Sequence, residues 1–417
     1  MLHQVGFGVK FIKDYNELRV LRFIKNNAPV SRAEISKQYH ISKAAVSDII
    51  ARLIDQGYVS EVGVGNSTNK GGRKPILLEF NQSAGSVFAI EIKRSYARIA
   101  LLDMDAHIHE LKEVYYPEGS SFDVVVGKIF PLLHQFMQRR WVRNSRSIGI
   151  GIGIPGLIDY CAGCVRVSDT LKNWIKVPIR EMFEKEFNIK VIVENDVKTL
   201  TLGECLFGQG RDHGNLVNLW IGDGIGAGII INGLLLRGVT ASAGEIGYDE
   251  LGFFIRDSGE FPLLYKGQKD FGDILSNKLL LDSACNAIHN GYQSQLNASN
   301  MSLDTFICAV EEEDNLATAL ISEYANILGI LIINLVNTLN IELLILSGEL
   351  ATRCPKLLHF VKEKVHKDIL REPAQAVKIV PGCLKEKGVI MGATGLVLED
   401  LFYQDTLNIL KYRSIFK

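Results

Sequence analysis

No stretch of this sequence offers a bilayer span. Its longest apolar runs, such as Ile327–Val336, are interrupted by Gly and Asn and fall short of the roughly 20 residues that cross a hydrocarbon core. An apolar N-terminal leader is missing too, so the expectation is a cytoplasmic protein with no membrane partner. Cysteine is scarce and odd in number, seven in 417 residues, which argues against a disulfide framework. Cys161 and Cys164 form one CxxC, but a single pair cannot supply four zinc ligands, and a plain turn is the simpler reading. Net charge is nearly absent, −1 overall, yet that total conceals an asymmetry. Residues 1–78 hold twelve Lys and Arg against six Asp and Glu, a net +6 that leaves −7 for the remainder. A basic head on an acidic body points to a polyanion as the head's partner.

The length suits two or three domains, and 47% hydrophobic with 22% charged residues is a globular composition. From Tyr15 onward Leu18, Leu21, Phe23 and Ile24 recur at helix spacing until Asn26, Asn27 and Pro29 stop them. Ser31 with Glu34 spells a capping box for a short helix, Arg32–Tyr39. Ser42 caps a second, Lys43–Gln56, and Gly57 closes it. Val46, Ile49, Ile50, Leu53 and Ile54 form its apolar stripe, leaving Lys43, Ala44, Ser47, Asp48 and Arg52 on the other side. Such a pair reads as a helix-turn-helix whose second helix enters a major groove. A hairpin follows, Tyr58–Val64 and Pro75–Phe80, around the polar tip GNSTNKGGRKP. That tip is a wing able to bring basic side chains to phosphates or a narrow minor groove. The expected DNA-facing residues are Ser31, Lys43, Ala44, Ser47, Arg52, Arg73 and Lys74, with a double-stranded operator as partner. A solvated basic loop beside a protein-docking winged helix is the competing reading.

Beyond the short linker Asn81–Gly85, strands and helices alternate. Val87–Ile92 and Ala97–Asp103 read as strands joined by a turn, Phe122–Arg139 and Ile179–Phe187 as helices, and Ile148–Ile158 as strand plus loop. Strand Val191–Val193 runs into Glu194, Asn195 and Asp196, ahead of helix Val197–Leu206. Polar residues at the carboxyl end of an α/β strand face the ligand crevice. Asn195 offers a donor and an acceptor, Asp196 two acceptors, so both suit sugar hydroxyls. Asp196 is also placed to abstract a proton or to cap the helix behind it. The central stretch Leu219–Tyr248 is a strand, a turn carrying Gly222, Gly224, Gly226 and Gly228, and a second strand. It ends in AGEIGY, with Glu245 held between glycines. Backbone N–H groups in so glycine-rich a turn can approach an anionic or hydroxyl-rich ligand closely. Helices Ile274–Tyr292, Ser302–Glu312 and the nearly all-apolar Leu316–Leu339, a strand within 341–350, strand Val377–Val380, helix Val389–Phe402 and an amphipathic tail complete the chain.

GDGIGAG followed by AGEIGY, together with END at 194–196, IGIGIPGLID and the MGATGLVLEDLF helix, resembles the ROK family of sugar kinases and sugar-responsive repressors. The GGRKP wing is similar to the heads of its repressor branch. The resemblance implies an α/β fold, an N-terminal winged helix-turn-helix followed by a two-lobed actin-like (ribonuclease H-like) sugar-kinase body. It divides the chain at 1–80, 81–200 and 201–417, the last helix returning to the first lobe. It also implies sugar contacts from Asn195, Asp196, Glu245 and Gly156, and from Tyr248 where the family has a zinc-ligating His. Asp196 corresponds to the kinases' catalytic base, here vestigial.

Departures from the family pattern are as informative. The kinases' phosphate turn Asp-x-Gly-Gly-Thr is Glu91-Ile92-Lys93-Arg94-Ser95 here, read as an ordinary exposed turn, and Asp223 replaces a Thr. Zinc ligands CxCGxxGC are missing, since Leu251–Lys269 contains no Cys, and the second sugar-contacting carboxylate is unassigned between Glu260 and Asp270. The implied protein therefore uses neither ATP nor zinc. It is a repressor of carbohydrate-utilisation genes, not an enzyme, whose sugar inducer weakens operator binding. Two half-sites require two heads, hence a homodimer or a tetramer. An active ATP-dependent sugar kinase with an accessory DNA-binding head is the alternative, and a sugar-independent protein dock the third possibility.

Overall fold

The computed structural model describes residues 9–65, 74–252, 255 and 259–413, with side chains within 16–402 of those ranges. The head follows the signals in its sequence. Helix α1 (Val9–Asn27) leads into the two-residue strand β1 (Val30–Ser31), helix α2 (Arg32–Tyr39) and helix α3 (Lys43–Asp55). The capping box forms: the Glu34 N–H donates to Ser31 Oγ at 3.3 Å, and the Ser31 N–H to Glu34 Oε2 at 2.7 Å. Strands β2 (Val59–Val64) and β3 (Ile76–Phe80) build the wing, and β1 joins them in the order β1-β3-β2. The wing pairs as far as Gly65, whose N–H donates to Pro75 O at 2.8 Å. Arg73 lies outside the described residues.

The body repeats one sheet pattern in each lobe. The first lobe contains β4 (Gly85–Ile92), β5 (Tyr96–Asp103), β6 (Ile108–Tyr115), α4 (Phe122–Met137), α5 (Arg140–Arg143) and β7 (Arg146–Ile154). It continues through the hairpin β8 (Leu157–Asp159) and β9 (Cys164–Val167), α6 (Ile179–Phe187) and β10 (Val191–Asn195), to α7 (Asp196–Phe207). Its sheet runs β10-β7-β4-β5-β6, with β4, β5 and β6 antiparallel and β4, β7 and β10 parallel. The second lobe has β11 (Leu216–Ile221), β12 (Ile225–Ile231), β13 (Leu234–Leu235), β14 (Leu343–Ser347) and β15 (Lys378–Pro381). Its order, β13-β12-β11-β14-β15, mixes antiparallel and parallel pairs in the same way.

Three differences from the sequence reading have simple causes. Strand β6 went unrecognised because it is an edge strand, solvated along most of IHELKEVY, so no apolar alternation marks it. Gly85 belongs to β4, which leaves only a single helical turn at Gln82–Ala84 as linker. The helix Asn315–Leu339 is longer than its uninterrupted apolar run and meets the length and hydropathy of a membrane span. It is nevertheless mostly buried, and Leu320, Tyr324, Ile327 and Leu331 place it in the core of the second lobe.

Between the two sheets lie α7 and the C-terminal helix Gly388–Arg413, packed on each other. Their backbones approach so closely that a Cβ on Gly392 would stand 1.7 Å from the Thr199 carbonyl oxygen. The C-terminal helix then runs on to the head. Val397, Leu398 and Phe402 share one apolar cluster with Val20, Leu21 and Ile24 of α1 and Leu78 of β3. Arg22 donates to the Phe402 carbonyl oxygen at 2.7 Å, and Lys25 pairs with Asp105 at 3.0 Å while lying 4.8 Å from the Phe80 ring centre. Glu399 sits at this junction. Burial pushes its carboxyl up from 4.5 to about 7, against the opposing pull of Arg237 and Arg22.

A carboxyl raised in the folded state favours folding fully below its unfolded pKa, and that contribution is lost as pH rises through the folded value. The expected result is that Glu399→Gln leaves the melting temperature unchanged below pH 4.5 and raises it above pH 7, the crossover falling between the two values. Thermal unfolding of both proteins across that range is the check.

Candidate ligand cleft and nucleic-acid interface

Strand β10 ends where α7 begins, and this junction carries the polar groups. Asn195, not Asp196, is the N-cap: its Oδ1 accepts the Lys198 N–H at 3.0 Å, and its Nδ2 donates to Gly156 O at 3.1 Å. The cap falls one residue earlier than the alternative sequence reading placed it, because Asn195 keeps extended backbone while Asp196 is already helical. Asp196 turns its carboxylate into the cleft. Oδ1 accepts the Val197 N–H at 3.0 Å, and Oδ2 accepts Lys93 Nζ at 2.9 Å.

That last contact corrects the reading of residues 91–95 as an ordinary exposed turn. Lys93 lies between Asp196 and Glu91 Oε1, 3.5 Å away, with its ammonium 5.4 Å from the Trp220 ring centre of the second lobe. Two carboxylates facing one turn draw the lysine inward, whereas a turn read in isolation leaves it in water. Burial pulls its pKa down, but Asp196 and Glu91 outweigh burial and the net shift is upward. Glu91 itself is pushed up by burial, against the pull of Lys93 and Arg98. At the outer edge Arg94 stands 3.9 Å from Asp223, so the two substituted turns face each other with opposite charges.

The floor of the cleft comes from the second lobe. Gly244, at φ +89°, lets AGEIGY run against β12 where a Cβ would lie 1.8 Å from Ala227 O. Glu245 beside it is half-buried and 3.9 Å from the ammonium of Lys198, a lysine with 2% exposure. Lys198 Nζ donates to Ala241 O at 3.0 Å, and burial draws its pKa down despite the nearby carboxylates of Glu194 and Glu245. Burial also raises the Glu245 carboxyl, opposed by Lys198 and reinforced by the like charges of Asp196 and Asp169. Glu194, buried, accepts Arg237 Nε at 2.7 Å, and that guanidinium lies 3.9 Å from the Tyr160 ring centre. Tyr248 reaches from the second lobe to the first, its hydroxyl donating to Asp169 Oδ2 at 2.7 Å, which pushes its pKa up to about 12.

Asn195, Asp196, Gly156, Glu245 and Tyr248 are thus brought to one cleft. Asp270 is close enough to act on Tyr248, but its carboxylate accepts the Asp273 N–H at 2.9 Å and caps the helix Phe271–Ile274. Glu260 is exposed beside Phe261, Ser322 and Phe360, on another face of the second lobe. Asp169, Lys198 and Arg237 had escaped the sequence reading. Lys198 carried a faint signal, a lone cation in the otherwise uncharged run VKTLTLG. Asp169 and Arg237 carried none, since only the meeting of distant segments gives them partners. The family's zinc does not fit these residues: Tyr248 is bonded to Asp169, and 251–269 holds no thiol. Among the described residues no three His, Cys, Asp or Glu side chains are grouped to hold a metal.

On the head, Lys43, Ala44 and Ser47 are exposed together at the N-terminal half of α3, and Lys74 is exposed at the wing. Arg52 is placed differently, half-buried at the other end of α3 with its Nε 2.7 Å from Glu17. Ser31 is 4% exposed and committed to its cap.

A winged helix in front of a two-lobed, sugar-kinase-like body defines a class, the DNA-binding transcriptional regulators built on that body. The chain belongs to the ROK family, whose model matches residues 87–400, and a MarR family model matches residues 8–65. A xylose repressor of Caldicellulosiruptor bescii is 30% identical over 392 residues, spanning 94% of this chain and 97% of that one. An N-acetylglucosamine repressor of Escherichia coli O157:H7 is 27% identical over 400 residues, 94% of each chain. The crystal structure of a ROK family transcriptional regulator, homologous to the E. coli MLC protein, superimposes with a TM-score of 0.81. It has 24% identity and covers 96% of this chain and 99% of its own, a likeness of fold.

Removing Arg237 leaves the Glu194 carboxylate buried without its guanidinium. Arg237→Met is therefore expected to lower unfolding stability by about 3 kcal/mol. Tyr248→Phe, at the exposed rim, should cost about 1 kcal/mol at most. Urea unfolding of the two variants side by side measures both.

Proposed function

We propose that this protein is a transcriptional repressor of carbohydrate-utilisation genes whose interlobe cleft binds a sugar, and that sugar binding weakens its hold on operator DNA. One observation carries the reading. The sugar-side groups Asn195, Asp196 and Glu245 converge on the cleft, while the positions that match the kinases' phosphate turns are taken by Lys93 on Asp196 and by Arg94 opposite Asp223. A phosphoryl donor would have to displace protein charges on both sides. Asp196 then acts as a binding group, Asp169 supplies the second carboxylate, and neither ATP nor zinc takes part. The repressors similar to this chain make D-xylose and N-acetyl-D-glucosamine the first sugars to try.

The path from cleft to head is continuous. Asp196 opens α7; α7 is packed without intervening side chains on the C-terminal helix at Gly392; that helix reaches α1 and β3 through Val397, Leu398 and Phe402. A sugar that reorients α7 therefore moves the head. In a homodimer or tetramer, working in the cytoplasm, such movement changes the spacing of two recognition helices on two half-sites. The sugar must bind better to the arrangement that holds DNA poorly, and coupling of about 1–3 kcal/mol is typical.

Fluorescence anisotropy with operator DNA selected from random duplexes tests this. A sugar from a monosaccharide panel should weaken operator binding by about 5- to 150-fold. Lys43→Ala should weaken binding to all duplexes and flatten the salt dependence by about one unit of slope. Operator affinity indifferent to every sugar would refute the sensor reading. Sugar phosphorylation by ATP, lost in Asp196→Asn, would establish a kinase instead.

A further inference from the structure

Both oxygens of Asp196 are already engaged. Oδ1 accepts from the Val197 N–H at 3.0 Å and from Asn195 Nδ2 at 3.3 Å, and Oδ2 accepts from Lys93 at 2.9 Å. The backbone N–H belongs to α7 itself and the Asn195 amide to its cap, so these two stay where they are. The ammonium differs, because it comes from the turn after β4 on a flexible stem. A sugar hydroxyl that donates to Oδ2 from the side the ammonium occupies has to take its position.

Lys93 also has somewhere to go. Glu91 Oε1 is 3.5 Å from the ammonium, and the other oxygen of Glu91 lies 3.3 Å from Arg98. Trp220 flanks the ammonium with its ring face at 5.4 Å, so a small swing keeps an aromatic surface beside the charge. The opposing carboxylates keep Lys93 protonated in spite of its burial. Neither position leaves it an unpaired buried charge.

We propose that Lys93 is an internal competitor of the sugar: it occupies Asp196 in the free protein, and a hydroxyl of the bound sugar displaces it toward Glu91. Lys93 thereby sets the sugar concentration at which the cleft fills. This rests on the sugar-sensing function proposed above. The competing ligand is a hydroxyl donor, which a neutral sugar ring provides. When a competent state is only a fraction of the population, the apparent affinity falls by that fraction. Removing the competitor therefore tightens binding, and removing its resting place weakens binding.

The two effects have opposite signs, which general damage to the fold would not produce. Isothermal titration of the full-length protein with D-xylose, D-glucose and N-acetyl-D-glucosamine reads them directly. Lys93→Met and Lys93→Gln are expected to lower the Kd for whichever sugar binds by about tenfold. Glu91→Gln is expected to raise it several-fold, and the sugar midpoint for release of operator DNA should follow in each case. Lys93 variants that bind the sugar equally or more weakly, while the unaltered protein binds it, overturn the competitor role and leave the sensor function standing. Should Lys93→Met not fold, Glu91→Gln still decides, because it removes a buried carboxylate and leaves the lysine paired; unchanged affinity there rejects the proposal. If neither the unaltered protein nor Lys93→Gln binds these or any other sugar of the monosaccharide panel, the sensor reading fails and the competitor falls with it.

Discussion

The architecture depends on one close approach, α7 against the C-terminal helix. With Gly392 facing Thr199 and Gly203 facing the Gly388 carbonyl, the two helices touch through their backbones. Two sheets from different lobes can then close over a helix pair no thicker than their spacing allows. A methyl group at either glycine would have to part the helices, and both sheets with them, because a packed interior absorbs little displacement. Everything at the cleft inherits its position from this contact: α7 begins at Asp196, on the side of the pair that faces the second lobe.

Charge in the cleft is arranged by pairing rather than by excess. Glu194 has Arg237, Glu91 has Lys93 and Arg98, Asp196 has Lys93, and Glu245 has Lys198 nearby. Isolated buried charges are costly, so a cleft with this many carboxylates persists only if the cations come with them. On the function proposed above, sugar hydroxyls donate to such carboxylates without altering the charge balance.

The legibility of the fold in the sequence followed how local each signal was. The capping box at Ser31 and Glu34, the cap at Ser42 and the αL glycine at 57 act within a few residues, and α2 and α3 lie where those signals put them. The strand-to-helix junction at 191–196 and the turn ahead of Glu245 were legible for the same reason, with an error of one residue at the cap. What could not be read was pairing across the chain. Lys93 and Asp196 are 103 residues apart, and Glu194 and Arg237 are 43 apart. Nothing in a run such as EIKRS says which carboxylate will stand opposite its lysine. Strand β6 was invisible for another reason: an edge strand solvated on most of its length has the composition of a loop.

The attachment of the head has a consequence for the order in which the molecule is made. Arg22 bonds to the carbonyl of Phe402, a partner 380 positions later, and the apolar seat of α1 includes Val397 and Leu398. During synthesis from the amino end, the helix-turn-helix therefore emerges well before the helix segment that seats it. An unfinished chain thus has its helix-turn-helix but no platform to orient it. That seat is available only to polypeptides translated past Phe402.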